Sequence, residues 1–118
     1  MTESSPVFED VARVITLATE APLSAGDIAS RTIFKSAFAR IVLFQFSKGT
    51  ELTEHTTPAR VIVQILSGRC EFTTGSDQRV LAGGDVVYLP PNHPHSVTAV
   101  EPFSMLITML NEPPPRAI

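Results

Sequence analysis

Residues 83–95 read Gly83-Gly84-Asp85-Val86-Val87-Tyr88-Leu89-Pro90-Pro91-Asn92-His93-Pro94-His95. The run Val86-Val87-Tyr88-Leu89 is β-branched and aromatic, too short for a stable helix, and closed on both sides by turn formers. It reads as a short strand between two turns. The same unit recurs outward in both directions, with turn signals at Lys48-Gly49, Ser67-Gly68, Gly75-Ser76-Asp77 and Glu101-Pro102. Between them lie strand-like runs at 28–34, 38–46, 60–66, 69–74, 79–81, 85–89, 95–100 and 103–110. Short strands at this regular spacing predict an all-β, antiparallel sandwich or barrel.

Within that frame the strands carry two kinds of pattern. Arg60-Val61-Ile62-Val63-Gln64-Ile65-Leu66 is apolar on both faces, and Arg40-Ile41-Val42-Leu43-Phe44-Gln45-Phe46 shows little polar alternation. A small barrel exposing its outside to water alternates more strongly, so a second copy of the chain is expected to cover it. Gln64 is out of phase with Val61 and Val63 and is expected to face outward. Met105, Ile107 and Met109 alternate with Ser104, Leu106 and Thr108, as in a strand lining a barrel interior.

A chain of 118 residues fits one domain. The expected division is an N-terminal arm over 1–26, a barrel over 27–111 and a proline-rich tail over 112–118. Residues 7–20 fit two readings. Val11, Val14, Ile15 and Ala18 have helical spacing behind a potential Asp10 cap, whereas Val14-Ile15-Thr16-Leu17 suits an arm strand. Nine basic against twelve acidic residues give a net charge of −3 with no basic stripe, so nucleic acid is not an expected partner. The opening Met1-Thr2-Glu3-Ser4-Ser5-Pro6 lacks a signal-peptide pattern and no apolar run reaches a membrane span, so the expectation is a cytoplasmic protein without a membrane partner. The single Cys70, in the strand-like Arg69-Cys70-Glu71-Phe72, is expected to be structural.

The three histidines all stand beside turn formers: His55 in Gly49-Thr50-Glu51-Leu52-Thr53-Glu54-His55-Thr56-Thr57-Pro58, and His93 and His95 in the opening stretch. Histidine is the commonest metal ligand and titrates near neutrality. Five residues separate Gly49 from His55, Gly68 closes the next strand, five residues separate Gly84 from Pro90, and His95 follows. This spacing resembles the two motifs of the cupin superfamily over about residues 38–110. The resemblance implies a small antiparallel double-stranded β-helix, the jelly-roll or conserved-barrel cupin fold, with a short N-terminal arm or helix.

The family pattern is partly eroded. His55 holds the first histidine position and His95 the histidine of the second motif. Thr57 stands where a second histidine is usual, and Val61, with six residues between it and Gly68, where a glutamate is usual. Asn92 replaces the glycine of the second motif at little cost, since asparagine tolerates left-handed backbone angles, and Ala99 replaces its last asparagine. Two of four usual metal ligands are therefore missing, including the carboxylate that offsets the ion's charge. If residues 93–95 are extended, His93 and His95 face one side roughly 6–7 Å apart and reach one ion with His55.

Two functions follow from this resemblance. The first is a small-molecule-binding domain with a pocket framed by His55, Thr57, Val61, His93 and His95, with Tyr88 as a further lining candidate. The second is a metal-dependent enzyme of oxygenase or isomerase type using His55, His93 and His95 to hold Fe, Zn, Mn or Ni. An interaction module acting through a homodimer surface is a third. No nucleophile elbow, phosphate loop or zinc-finger cysteine pair is present, and no catalytic residue is assigned.

Overall fold

The computed structural model describes residues 12–17 and 26–111. Among the described residues nine strands form: β1 (Ile28–Lys35), β2 (Ala39–Phe46), β3 (Glu51–His55), β4 (Arg60–Ser67), β5 (Arg69–Thr74), β6 (Asp77–Ala82), β7 (Val86–Leu89), β8 (His95–Ala99) and β9 (Phe103–Leu110). Five form one sheet in the order β1-β2-β9-β4-β7, and four form the other in the order β3-β8-β5-β6. Every pairing is antiparallel. Consecutive strands alternate between the sheets from β2 onward except at the β5–β6 hairpin, which makes the double-stranded β-helix.

The β3 strand is the one element absent from the expected set. Its sequence, Glu-Leu-Thr-Glu-His, has one apolar residue in five and no buried position. It is held by pairing with β8 rather than by its own burial, so apolar periodicity misses it. Residues 12–17 contain neither strand nor α-helix, and the remainder of 7–20 lies outside the described residues.

The core lies between the sheets. Phe46, Val61, Val63, Ile65, Phe72 and Phe103 are among its buried side chains, with Phe46 stacked on Phe103 at a centroid separation of 4.5 Å. Burial of each such side chain contributes about 1.5–3 kcal/mol. Met105 is fully buried, and Ile107 and Met109 pack against the same core, in keeping with an inward face on β9.

A second, smaller cluster sits on the outer face of the five-stranded sheet. Ile33 and Leu43 are buried there, and Ile15 and Leu17 of the N-terminal segment pack on them. The apolar outer face expected to need a second copy is therefore covered in part by the chain itself.

One motif glycine is required by close approach. Gly68 has φ +76°, and a Cβ there would fall 2.1 Å from the carbonyl oxygen of Pro102. Only glycine fits this left-handed crossing between β4 and β5. Asn92 has φ +61°, the left-handed conformation expected at the position where the family pattern has glycine.

Candidate functional site

Both motif histidines stand at strand ends of the four-stranded sheet, and a bulge brings them together. Leu52 on β3 lies opposite Val97 on β8, so an uninterrupted register would place Glu54 opposite His95. One extra residue between Leu52 and His55 puts His55 there instead. A bulge of this kind re-aims a side chain at the rim of a sheet. The two imidazoles meet edge to face with centroids 4.2 Å apart. The Phe72 ring runs parallel to His95 at 6.2 Å.

Each imidazole is oriented by its own backbone. His55 Nδ1 lies 2.9 Å from the Thr53 carbonyl oxygen, and His95 Nδ1 lies 2.9 Å from that of His93. A carbonyl only accepts, so Nδ1 carries the hydrogen in both rings, and in a neutral ring Nε2 is the bare acceptor. His95 is buried, and burial lowers its pKa from the ordinary 6.5. The bond to the His93 carbonyl opposes that shift, while the charges of His55 and His93 add to it. His95 is accordingly neutral at pH 7.

A cavity of about 210 Å³ opens beside this pair. Its apolar wall is Val42, Phe44, Leu52, Val61, Ile107 and Met109, and its polar groups come from Arg40, His55, Thr57 and His95. Thr57 organises the rim: its Oγ1 accepts from the Ala59 amide at 3.3 Å, and its carbonyl accepts from the Asn92 amide at 2.8 Å. The loops of the two motifs are thereby tied together.

Arg40 is the polar lining residue that sequence reasoning missed. On β2 it is in phase with Val42, Phe44 and Phe46, which all line the cavity or core, so its inward position was readable from strand parity. Leu52 was missed because β3 was.

Two expected residues lie elsewhere. His93 is not among the lining residues. β8 begins at His95, and His93 and Pro94 lie outside it after the turn at Pro91-Asn92, so the alternation that would set His93 beside His95 does not extend to it. His93 contributes a backbone carbonyl instead. Tyr88 also misses the cavity: Leu89 pairs with Val61 and points inward, which sends Tyr88 outward opposite Ile62. Its hydroxyl accepts a hydrogen bond from Arg60 Nη1. It borders a separate depression of about 540 Å³ between β6 and β7.

The donors present do not fit a bound metal. Among the described residues no group of three or more His, Cys, Asp or Glu side chains is placed to hold an ion. The three-histidine set is not assembled, Thr57 is engaged with the loop, and Val61 offers carbon. Two imidazoles alone fall short of the three protein ligands of a catalytic site. Cys70 is buried away from this chemistry. Burial, followed by the negative charge of Asp85, pushes its thiol up to about 11 against a hydrogen bond at the Leu81 backbone. It is an inert core thiol.

The profile of the cupin domain family matches residues 42–109, more than half of the chain. The chain is a cupin. Its fold is shared by a conserved protein of unknown function from Streptococcus pyogenes, with 31% identity and a TM-score of 0.77 over 92% of this chain and 93% of that one. A cupin superfamily protein from Desulfitobacterium hafniense has 24% identity and a TM-score of 0.79, covering 85% and 92%. A putative mannose-6-phosphate isomerase from Ralstonia eutropha has 20% identity and a TM-score of 0.75, covering 86% and 100%, a likeness of fold alone. No curated protein matches the sequence. No helix among the described residues of this cupin is long and apolar enough to cross a membrane.

Proposed function

We propose that this cupin binds a small molecule in the cavity beside His55 and His95. The observation that carries this reading is the cavity's composition: six apolar side chains around a few convergent polar groups, the usual make-up of a ligand pocket. The two imidazoles are held by carbonyl bonds before any ligand arrives, so binding costs little side-chain ordering. At about 210 Å³ the space is smaller than the roughly 300–1,000 Å³ of pockets for drug-sized ligands. The ligand is therefore compact, with a hydrogen-bond donor to meet Nε2.

A fragment screen read by protein amide NMR shifts tests this. Binders are expected to shift Leu52, His55, Val61 and His95, and to lose affinity when Val61→Phe fills the cavity. Fragments that map elsewhere, or bind Val61→Phe unchanged, would reject the pocket.

A further inference from the structure

His95 brings an unpartnered acceptor into an apolar wall. The residue is only 6% exposed and lines the cavity. Its Nδ1–H is committed to the His93 carbonyl, and among the described residues no donor meets its Nε2. Nε2 is thus the ring nitrogen left for the cavity. Buried polar atoms are ordinarily hydrogen-bonded, and leaving one bare costs free energy that a ligand's donor recovers. His55, the other member of the edge-to-face pair, is exposed, so water serves its Nε2.

The remaining polar groups of the wall narrow what that donor belongs to. Oγ1 of Thr57 accepts from the Ala59 amide, which leaves its own hydrogen to be donated, and among the described residues nothing accepts it. Arg40 is already engaged: its Nε and Nη2 donate to Oγ1 of the buried Thr32 on β1, and it makes a further interaction besides. No carboxylate stands among the described lining residues. The wall therefore offers a ligand one buried acceptor and one hydroxyl donor, with no carboxylate to balance a cation and no uncommitted cation to balance an anion.

Resting on the reading of this cavity as a ligand pocket, we propose that its ligand is a compact, neutral, apolar alcohol whose hydroxyl donates to Nε2 of His95 and accepts from the Thr57 hydroxyl. A hydroxyl donates and accepts through one atom, which is what these two wall groups require. Its apolar body meets Val42, Phe44, Val61 and Ile107. A carboxylate or a ketone only accepts, and would set its lone pairs against that of Nε2. An ammonium would enter an apolar wall with no counter-charge. An amide brings a more polar group than the wall has partners for, leaving part of it unpaired.

The test uses full-length protein at neutral pH and probes built on rings of one size: cyclopentanol, cyclopentanone, cyclopentylamine and pyrrolidinone. Affinities are read from NMR titration of the cavity amides. Cyclopentanol is expected to bind at least about tenfold more tightly than each of the others, a difference of ~1.4 kcal/mol, and His95→Phe should erase its advantage over cyclopentanone. In imidazole nitrogen spectra of the wild type, cyclopentanol should move the His95 Nε2 resonance toward that of a hydrogen-bonded nitrogen and cyclopentanone should not. Equal affinity for cyclopentanol and cyclopentanone overturns the hydroxyl assignment and leaves the pocket standing. So does tighter binding of the amine or of pyrrolidinone, an Nε2 resonance that cyclopentanol leaves unmoved, or an alcohol preference that survives His95→Phe. If no probe shifts the cavity amides, the assignment and the pocket fail together. The wild-type affinities and nitrogen spectra need no variant to fold.

Discussion

His95 is buried with only 6% of its surface exposed, and burial above all lowers its pKa below 6.5. As pH falls below that value the unfolded chain takes up a proton that the folded chain resists, so protonation favours unfolding. The stability carried by neutral His95 is therefore intact above about pH 6.5 and is lost as pH falls from there through the folded-state pKa. Thermal unfolding of the wild type and of His95→Gln, compared across this window, should show the wild-type advantage shrinking toward acid. Carboxylates common to both proteins cancel in the difference. A difference that stays flat with pH would show that His95 keeps its ordinary titration.

At the scale of elements, the site is made by β3, β4 and β8 together. The bulge in β3 selects His55 over Glu54 as the partner of His95, and β4 turns Val61 into the cavity, where it is 3% exposed. The donor set fails at two positions, so restoring both should restore metal binding. Thr57→His with Val61→Glu is expected to bind Zn(II) or Ni(II) with one-to-one stoichiometry in isothermal titration. Its gain over wild type should exceed the roughly 10–100-fold that changes in outer-shell partners produce. Equal affinity in the two proteins would mean that metal donors lie outside the cavity. Val61→Glu alone buries a carboxylate, which lowers stability unless the charge is paired.

Across the whole molecule, the outer face of the five-stranded sheet is covered unevenly. Ile15 and Leu17 pack over Ile33 and Leu43, while Val86 at 61%, Tyr88 at 54% and Leu66 at 39% remain exposed toward the β7 edge. Tyr88 and Val86 project from the same side of the edge strand that Ile62 and Gln64 adopt on β4. Apolar side chains grouped on an edge strand mark an interaction surface. A homodimer formed through this face is our proposal for its partner. Light scattering at micromolar concentration should give twice the mass of the chain, and Val86→Glu with Tyr88→Glu should give the monomer. A monomeric wild type rejects it.

The sequence by itself determined the strands that carry their own signal. The β5 and β9 boundaries at 69–74 and 103–110 were legible because those runs are apolar or β-branched and closed by turn formers. The motif spacing identified His55 and His95, and it marked Thr57 and Val61 as replaced ligands, because loop lengths between fixed strands leave a one-dimensional trace. The left-handed Asn92 was legible for the same reason. Only the tertiary structure decided what depends on register and burial. A bulge, a strand stabilised by its neighbour and the start of β8 only at His95 leave no periodicity, since the cause of each is a pairing partner remote in sequence. Strand parity put Arg40 within reach of sequence reasoning, but its place in the cavity wall required knowing that β2 pairs with β9. Ligand chemistry is set by which side chains share a cavity, and the chain order of this cupin separates those side chains by up to 69 positions, from Arg40 to Met109.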